Sequence, residues 1–256
     1  MIENTKFSLK NKVAVITGGA GLLGVQHAKA IAEDGGIPIL WDINAEASSK
    51  EAAKIARDYN IFSSGIMVDI TNQESIKQAF DQVLDTVGRI DILINNAAAA
   101  RGEDRVPIVD LPDDVFRKVN DIKVFGTYLC TKAVVKVLKE QGQGGKIVNI
   151  SSTAGKSGSP NTLAYNAANF AVVGMTQSMA RELGPLGINV NCVCPGFTET
   201  SRMDGLDLGQ GADKTAIGRI GTDDEVGDFI AHLCTKATSW ITGQSINVNG
   251  GSIVEH

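Results

Sequence analysis

Gly19, Gly21 and Gly24 stand in the spacing Gly-x-Gly-x-x-Gly, between the apolar run Lys12–Thr17 and an amphipathic stretch that begins at Leu22. In a strand–turn–helix setting that spacing has a use. Glycines permit a tight turn and let backbone N–H groups approach a pyrophosphate at the helix N-terminus. Gly18 and Leu23 belong to the same loop. Asp42 ends the next apolar run, Ile37–Trp41, 18 positions after Gly24. A carboxylate there can accept hydrogen bonds from the adenosine ribose hydroxyls, and it repels the 2′-phosphate of NADP. Ile43 and Asn44 follow, and the glycine loop carries no Lys or Arg. The expected cofactor is therefore NAD. Hydride transfer between a carbinol carbon and nicotinamide also requires a proton partner for the alcohol oxygen. Tyrosine serves when a nearby cation favours its phenolate, and a hydroxyl donor can hold the reacting oxygen.

Short β-branched runs alternate with longer amphipathic stretches along the chain. Strands are expected at Lys12–Thr17, Ile37–Trp41, Phe62–Val68, Ile90–Asn95, Lys146–Ile150, Ile188–Val193 and Ser245–Val248. Helices are expected at Leu22–Asp34, Ala45–Asp58, Gln73–Val87, Asp113–Glu140, Leu163–Leu183 and Asp223–Cys234. This order implies right-handed crossovers and an α/β fold: a doubly wound, Rossmann-type parallel sheet of about seven strands with helices on both faces. No linker or composition break divides residues 1–256, so a single domain is expected. Its one long irregular stretch, 196–217, reads as a substrate loop.

Composition excludes several functions. Apolar residues make up 43% and charged residues 21% of the 256, and the net charge is −5 without a run of like charges. That leaves no electrostatic footprint for nucleic acid or an anionic membrane. Cys130, Cys192, Cys194 and Cys234 form no C-x-x-C pair and read as buried thiols, and the three histidines build no metal-ligand spacing. With no leader-like or membrane-spanning apolar run, a cytoplasmic protein is expected.

Six further segments, in order, give the chain a resemblance to the short-chain dehydrogenase/reductase family. Asp69, before Ile70, resembles the family's adenine-contacting residue. Asn95-Asn96-Ala97-Ala98 resembles its motif after the fourth strand, with Ala98 in place of Gly. Pro195-Gly196 and Thr200 resemble the segment beside the nicotinamide carboxamide. Ile241-Thr242-Gly243-Gln244 and Asn249-Gly250-Gly251 resemble the closing strand. Ser152 and Tyr165 lie 13 positions apart, the family's catalytic spacing. The resemblance implies that Ser152 orients the substrate oxygen and that Tyr165, beside the cofactor, does the acid/base work. The glycine loop departs from the pattern. Its Thr-Gly-x-x-Gly-x-x-Gly spacing is more typical of longer members such as sugar-nucleotide epimerases and dehydratases, but too little chain follows the sixth strand for their substrate domain.

The catalytic motif departs as well. The family's Tyr-x-x-x-Lys reads Tyr165-Asn166-Ala167-Ala168-Asn169 here. Its Asn-x-x-Gly in the preceding long helix reads Lys123-Val124-Phe125-Gly126. The two residue types are exchanged, and a lysine entering from either helix can serve Tyr165. The alternatives are that Lys123 is a solvated helix lysine, that Asn169 is an inactivating change, or that a helix irregularity brings Asn120 into the family's position. The expected function is NAD-dependent hydride transfer between nicotinamide and a polar secondary alcohol or ketone. The alternatives are a non-catalytic NAD-binding regulator and a sugar-modifying epimerase or dehydratase. Arg101, Arg105 and Arg202 near the pocket suit an anionic substrate unless they are surface residues. The family implies a homotetramer.

Overall fold

A computed structural model describes residues 6–100, 102–199 and 211–254. Its seven strands form one sheet in the order β3-β2-β1-β4-β5-β6-β7, and every pairing is parallel. They are β1 (Val13–Thr17), β2 (Ile37–Asp42), β3 (Ser64–Met67), β4 (Ile92–Asn95), β5 (Gly145–Ile150), β6 (Ile188–Pro195) and β7 (Ser245–Val248). The helices are α1 (Leu22–Glu33), α2 (Ala45–Tyr59), α3 (Gln73–Val87), α4 (Asp113–Asn120), α5 (Gly126–Gln141), α6 (Leu163–Leu183) and α7 (Asp223–Cys234).

Side-chain alternation along the strands splits the core into two layers. Val13 and Val15 of β1 join Ile39, Trp41, Phe80, Leu129 and Val134 on the face covered by α3 and α5. Ala14 and Ile16 join Leu40, Ala28, Ile31, Val226 and Ile230 on the face covered by α1 and α7. Trp41 meets Phe80 edge-on, with ring centroids 4.6 Å apart. Helix ends follow local chemistry. The Asn44 side chain accepts from the Ala47 N–H to start α2, and Asn72 caps α3 in the same way. Gly88 closes α3 with a left-handed turn.

Three expectations need correction. The long helix expected over Asp113–Glu140 is broken: a π-helical turn, Asp121–Phe125, separates α4 from α5. The third strand begins at Ser64 rather than Phe62 and stops at Met67. Pairing with β2 starts only at Ile39↔Ser64. That late start also explains how Pro38 fits inside the sheet, because it lies one residue ahead of the β2–β3 ladder, where no N–H is required. The fourth strand starts at Ile92, two residues later than expected. The residue before it, Asp91, is held at the far end of the sheet by Lys12 and Arg89, at 2.8 and 2.5 Å. All four cysteines are buried free thiols. Burial pushes the Cys130 and Cys234 thiols up to about 12.

Candidate active site

The strand order reverses between β1 and β4, so the crevice of a doubly wound sheet opens at their carboxyl ends. The glycine loop leaves β1 there. Gly18 adopts φ +61°, which a side chain rarely tolerates. A Cβ on Gly24 would stand 2.2 Å from the Gly18 carbonyl oxygen, so α1 can rest against the loop only with Gly at that position. Gly21 takes the N-cap position of α1 without a side-chain hydrogen bond to the first turn, and Leu23 lies within that turn. The leading N–H groups of a helix have no intrahelical partners and face an anion readily. Asn96 braces the loop from β4: its Nδ2 donates to the carbonyls of Thr17 and Gly18, each at 3.0 Å. In this structure Asn96 is therefore a strut between β4 and the loop.

Asp42 ends β2 beside that loop. Its carboxylate accepts the Ala20 N–H at 3.1 Å and the Asn44 N–H at 3.0 Å. Asp69 comes just after β3 and accepts from both the N–H and the hydroxyl of Thr71. Ile43, Asp69, Thr71, Ile122 and Phe125 share a cleft of about 630 Å³ with polar residues of α4. Ile70 lies under Gly126, where an added Cβ would come within 2.6 Å of the Ile70 side chain. The small residue at the head of α5 thus lets that helix close onto the strip after β3. Pro195 ends β6, paired with Val248, and Gly196 lies so close to Asn249 that a Cβ would meet it at 2.7 Å. Thr200, Arg101 and Arg202 lie outside the described residues, as does the 200–210 part of the expected substrate loop.

Ser152 and Tyr165 are half-buried, Ser152 just beyond β5 and Tyr165 in the first turn of α6. The Ser152 Oγ accepts the Ala154 N–H at 3.2 Å, leaving its own proton to be donated elsewhere. Lys123 is only 5% exposed, so it is not a solvated helix lysine. It rides on the π turn and its Nζ donates to the Ala97 carbonyl at 3.4 Å. Asn120 turns back on its own helix, where its Nδ2 donates to the Phe116 carbonyl. The π turn therefore presents Lys123, not Asn120, to the end of β4. Asn169 is 1% exposed. Its Nδ2 donates to the Tyr165 carbonyl at 2.8 Å, while its Oδ1 is buried without a hydrogen-bond partner. The cation seen directly over the Tyr165 ring is Arg105, 4.2 Å from the centroid.

One feature gave no sequence signal. A buried polar chain links β4, β5 and the helices behind them, with Asn95 Nδ2 donating to Thr131 and Asn149, and Asn149 donating to Thr176. Asparagines inside strands read as ordinary loop-formers until their partners on α5 and α6 are known.

A glycine loop at the switch point of a doubly wound parallel sheet is the setting of a dinucleotide-binding oxidoreductase. The chain belongs to the short-chain dehydrogenase/reductase family. The family model described as enoyl-(acyl carrier protein) reductase matches residues 19–252. The 3-oxoacyl-[acyl-carrier-protein] reductase of Aquifex aeolicus (strain VF5) is 32% identical over 252 residues, 96% of this chain and 99% of that protein. The NAD(+) 2-dehydro-3-deoxy-L-rhamnonate dehydrogenase of Sphingomonas sp. (strain SKA58) is 32% identical over 243 residues, 94% of each chain. An NAD+-bound xylitol dehydrogenase superposes with a TM-score of 0.87 at 30% identity, covering 95% of this chain and 99% of that one. The protein is accordingly an oxidoreductase that moves a hydride between a nicotinamide cofactor and an alcohol or ketone.

Proposed function

We propose that the protein is an NAD-specific dehydrogenase of polar secondary alcohols, or reductase of the matching ketones. The observation that carries NAD over NADP is the Asp42 carboxylate, fixed on the glycine loop by the Ala20 N–H. Two of its relatives, the rhamnonate and xylitol enzymes, are named for NAD. Gly18, Gly21, Leu23 and Gly24 cradle the pyrophosphate. Asp42 takes the ribose, and Asp69, Ile70 and Asn96 border the adenosine and the loop. Pro195 and Thr200 flank the nicotinamide. When bound, the cofactor supplies the hydride acceptor or donor.

The chain's own residues handle the proton. Ser152 donates its hydroxyl proton to the substrate oxygen and fixes its position. Tyr165 takes the carbinol proton during oxidation and returns it during reduction. Lys123 supplies the cation that favours the tyrosinate, in place of the motif lysine. Asn169 offers its unpaired Oδ1 to a donor, and both the nicotinamide ribose and the Lys123 ammonium are donors of the right kind. We read the working form as a cytoplasmic homotetramer. Phe125, Tyr128 and Phe170, exposed on adjoining helices, suit such an interface.

Substitutions read by turnover and NADH binding test this. Tyr165→Phe is expected to cut turnover by ~10²–10⁴-fold with little change in NADH affinity. Lys123→Met keeps the buried stem and deletes the charge. It is expected to lower turnover and move the pH–rate profile for alcohol oxidation upward. Lys123→Asn combined with Asn169→Lys is expected to exceed Lys123→Asn alone. An unchanged rate and pH profile in Lys123→Met would leave Lys123 a bystander and Asn169 a lost lysine.

A further inference from the structure

Arg105 lies in the segment that follows β4, and its Cζ stands over the ring of Tyr165, 4.2 Å from the centroid. A guanidinium held over a ring by a cation–π contact keeps its in-plane N–H donors, a fork that matches a carboxylate. The side chain is about one-quarter exposed, and Nε is buried without a hydrogen-bond partner. Among the described residues Nε is paired with the buried carboxylate of Asp104, at 3.6 Å. That separation exceeds hydrogen-bond length, and the Asp104 Oδ1 is engaged instead by the Gly102 N–H at 3.4 Å. Beside Arg105, a cleft of about 390 Å³ runs between Val106, Pro107 and Ile108 on one wall and Ser159, Leu163 and Asn166 on the other. The last two residues flank Tyr165 on α6.

We propose that Arg105 is a specificity-determining residue that grips the carboxylate of the substrate, so that the preferred substrates are short 2- or 3-hydroxy acids and the corresponding keto acids. The inference rests on Tyr165 being the proton-transferring residue. The guanidinium Cζ is 4.2 Å from the centroid of the ring that bears the reacting hydroxyl, so a carboxylate held by Arg105 belongs to a substrate whose carbinol carbon is only a short chain away. A monoanion fits better than a phosphate dianion, because Asp104 already offsets part of the Arg105 charge. The chemistry balances without another reactant. The carbinol hydride goes to NAD+, the hydroxyl proton goes to Tyr165, and the carboxylate leaves unchanged.

The test compares acids with their uncharged amides, using 2- and 3-hydroxybutyrate and the two hydroxybutyramides. The first readout is kcat/KM with NAD+. The second is calorimetric binding of the same four compounds to the protein saturated with NADH, which reports even where turnover is absent. The parent protein is expected to prefer one of the acids over its amide by at least tenfold. Arg105→Met is expected to bring that ratio near one, and Arg105→Lys to restore part of it. NADH affinity and Tm report that the variants are folded. An acid-to-amide ratio near one in the parent overturns the proposal, and so does a ratio unchanged in Arg105→Met. The latter result is what a strut that merely stacks on Tyr165 would give. Turnover of the amides at a rate equal to the acids refutes the carboxylate subsite but leaves the dehydrogenase reading standing. Loss of all turnover with the binding preference intact does the reverse.

Discussion

Charge removal at Asp42 is the sharpest probe of cofactor choice. The carboxylate holds two loop N–H groups, at 3.1 and 3.0 Å. Each oxygen retains a lone pair for a ribose hydroxyl. At a separation of about 5 Å, a 2′-phosphate and the carboxylate, taken as two unit charges, would repel by roughly 0.8 kcal/mol in bulk water and about 3 kcal/mol at an effective dielectric constant of about 20. Asp42 is half-buried at the loop, so the penalty lies between those limits. It corresponds to ~4- to 150-fold against NADPH. Asp42→Asn deletes the charge and keeps one acceptor oxygen, so it removes this repulsion together with one of the two backbone hydrogen bonds. NADPH is expected to gain most of that factor. NADH is expected to weaken by about 1 kcal/mol as charge-assisted hydrogen bonds become ordinary ones. Fluorescence titration of both reduced cofactors measures the two affinities. Raising the salt concentration should narrow the parent's preference, since part of the repulsion is screened. Equal affinities in the parent, or a preference untouched by Asp42→Asn, would refute the reasoning.

Two other perturbations separate the cradle from the scaffold. Gly24→Ala forces a methyl to within 2.2 Å of the Gly18 oxygen. It is expected to cost ~1–3 kcal/mol of stability through displaced backbone and at least tenfold in NADH affinity by calorimetry; an affinity equal to the parent's would show that the loop is not the cradle. At the opposite end of the sheet, burial raises the Asp91 carboxyl, but hydrogen bonds from Arg89 and Lys12 outweigh it and hold the group below its usual range. A depressed folded-state value contributes stability that is present above the unfolded value near ~3.9 and is lost as pH falls through the folded one. Asp91→Asn is expected to cost ~1–3 kcal/mol at pH 7, discounted because Lys12 and Arg89 are partly exposed. It should also flatten the acid limb of a denaturant-monitored stability profile while leaving NADH affinity alone; an acid limb as steep as the parent's would count against the assignment.

The fold was legible because burial on both faces of a parallel strand leaves continuous apolar runs, such as Val13–Thr17, while amphipathic helices keep a 3.6-residue period. The tight glycine turn was legible because glycine has few substitutes where φ is positive, at Gly18, or where backbones touch, at Gly24. The break in the long helix was not legible. A π turn leaves the apolar pattern on either side nearly intact, and the fit of Gly126 onto Ile70 just after it is a contact across more than fifty residues. The stacking of Arg105 on Tyr165 was not legible either. A loop arginine carries no periodicity, and its partner is set by the path of the backbone. The same holds for the Asn95–Asn149–Thr176 chain, whose members lie on different elements.

The π turn also gives the exchanged lysine and asparagine a physical basis. In a regular helix, residues four apart share a face. An extra residue in one turn rotates the remainder of the helix by about 100°. At Asp121–Phe125 that inserted turn carries Lys123 into the interior, against the Ala97 carbonyl at the end of β4. Across from it, the backbone at Asn169 is hemmed in. The Ser151 hydroxyl donates to its carbonyl at 3.0 Å, and a Cβ on Gly155 would stand 2.9 Å from the same oxygen. A short side chain at that position reaches only the Tyr165 carbonyl on one side and leaves its own oxygen without a partner. On the proposed reading the long side chain comes from the other helix, where Lys123 is buried. On that reading one cation and one carboxamide fill the two positions, with the long and short stems traded between helices. Such a trade would conserve the charge within the site and change the direction from which it arrives. That is why deleting the charge at Lys123, rather than restoring a lysine at Asn169, is the decisive perturbation.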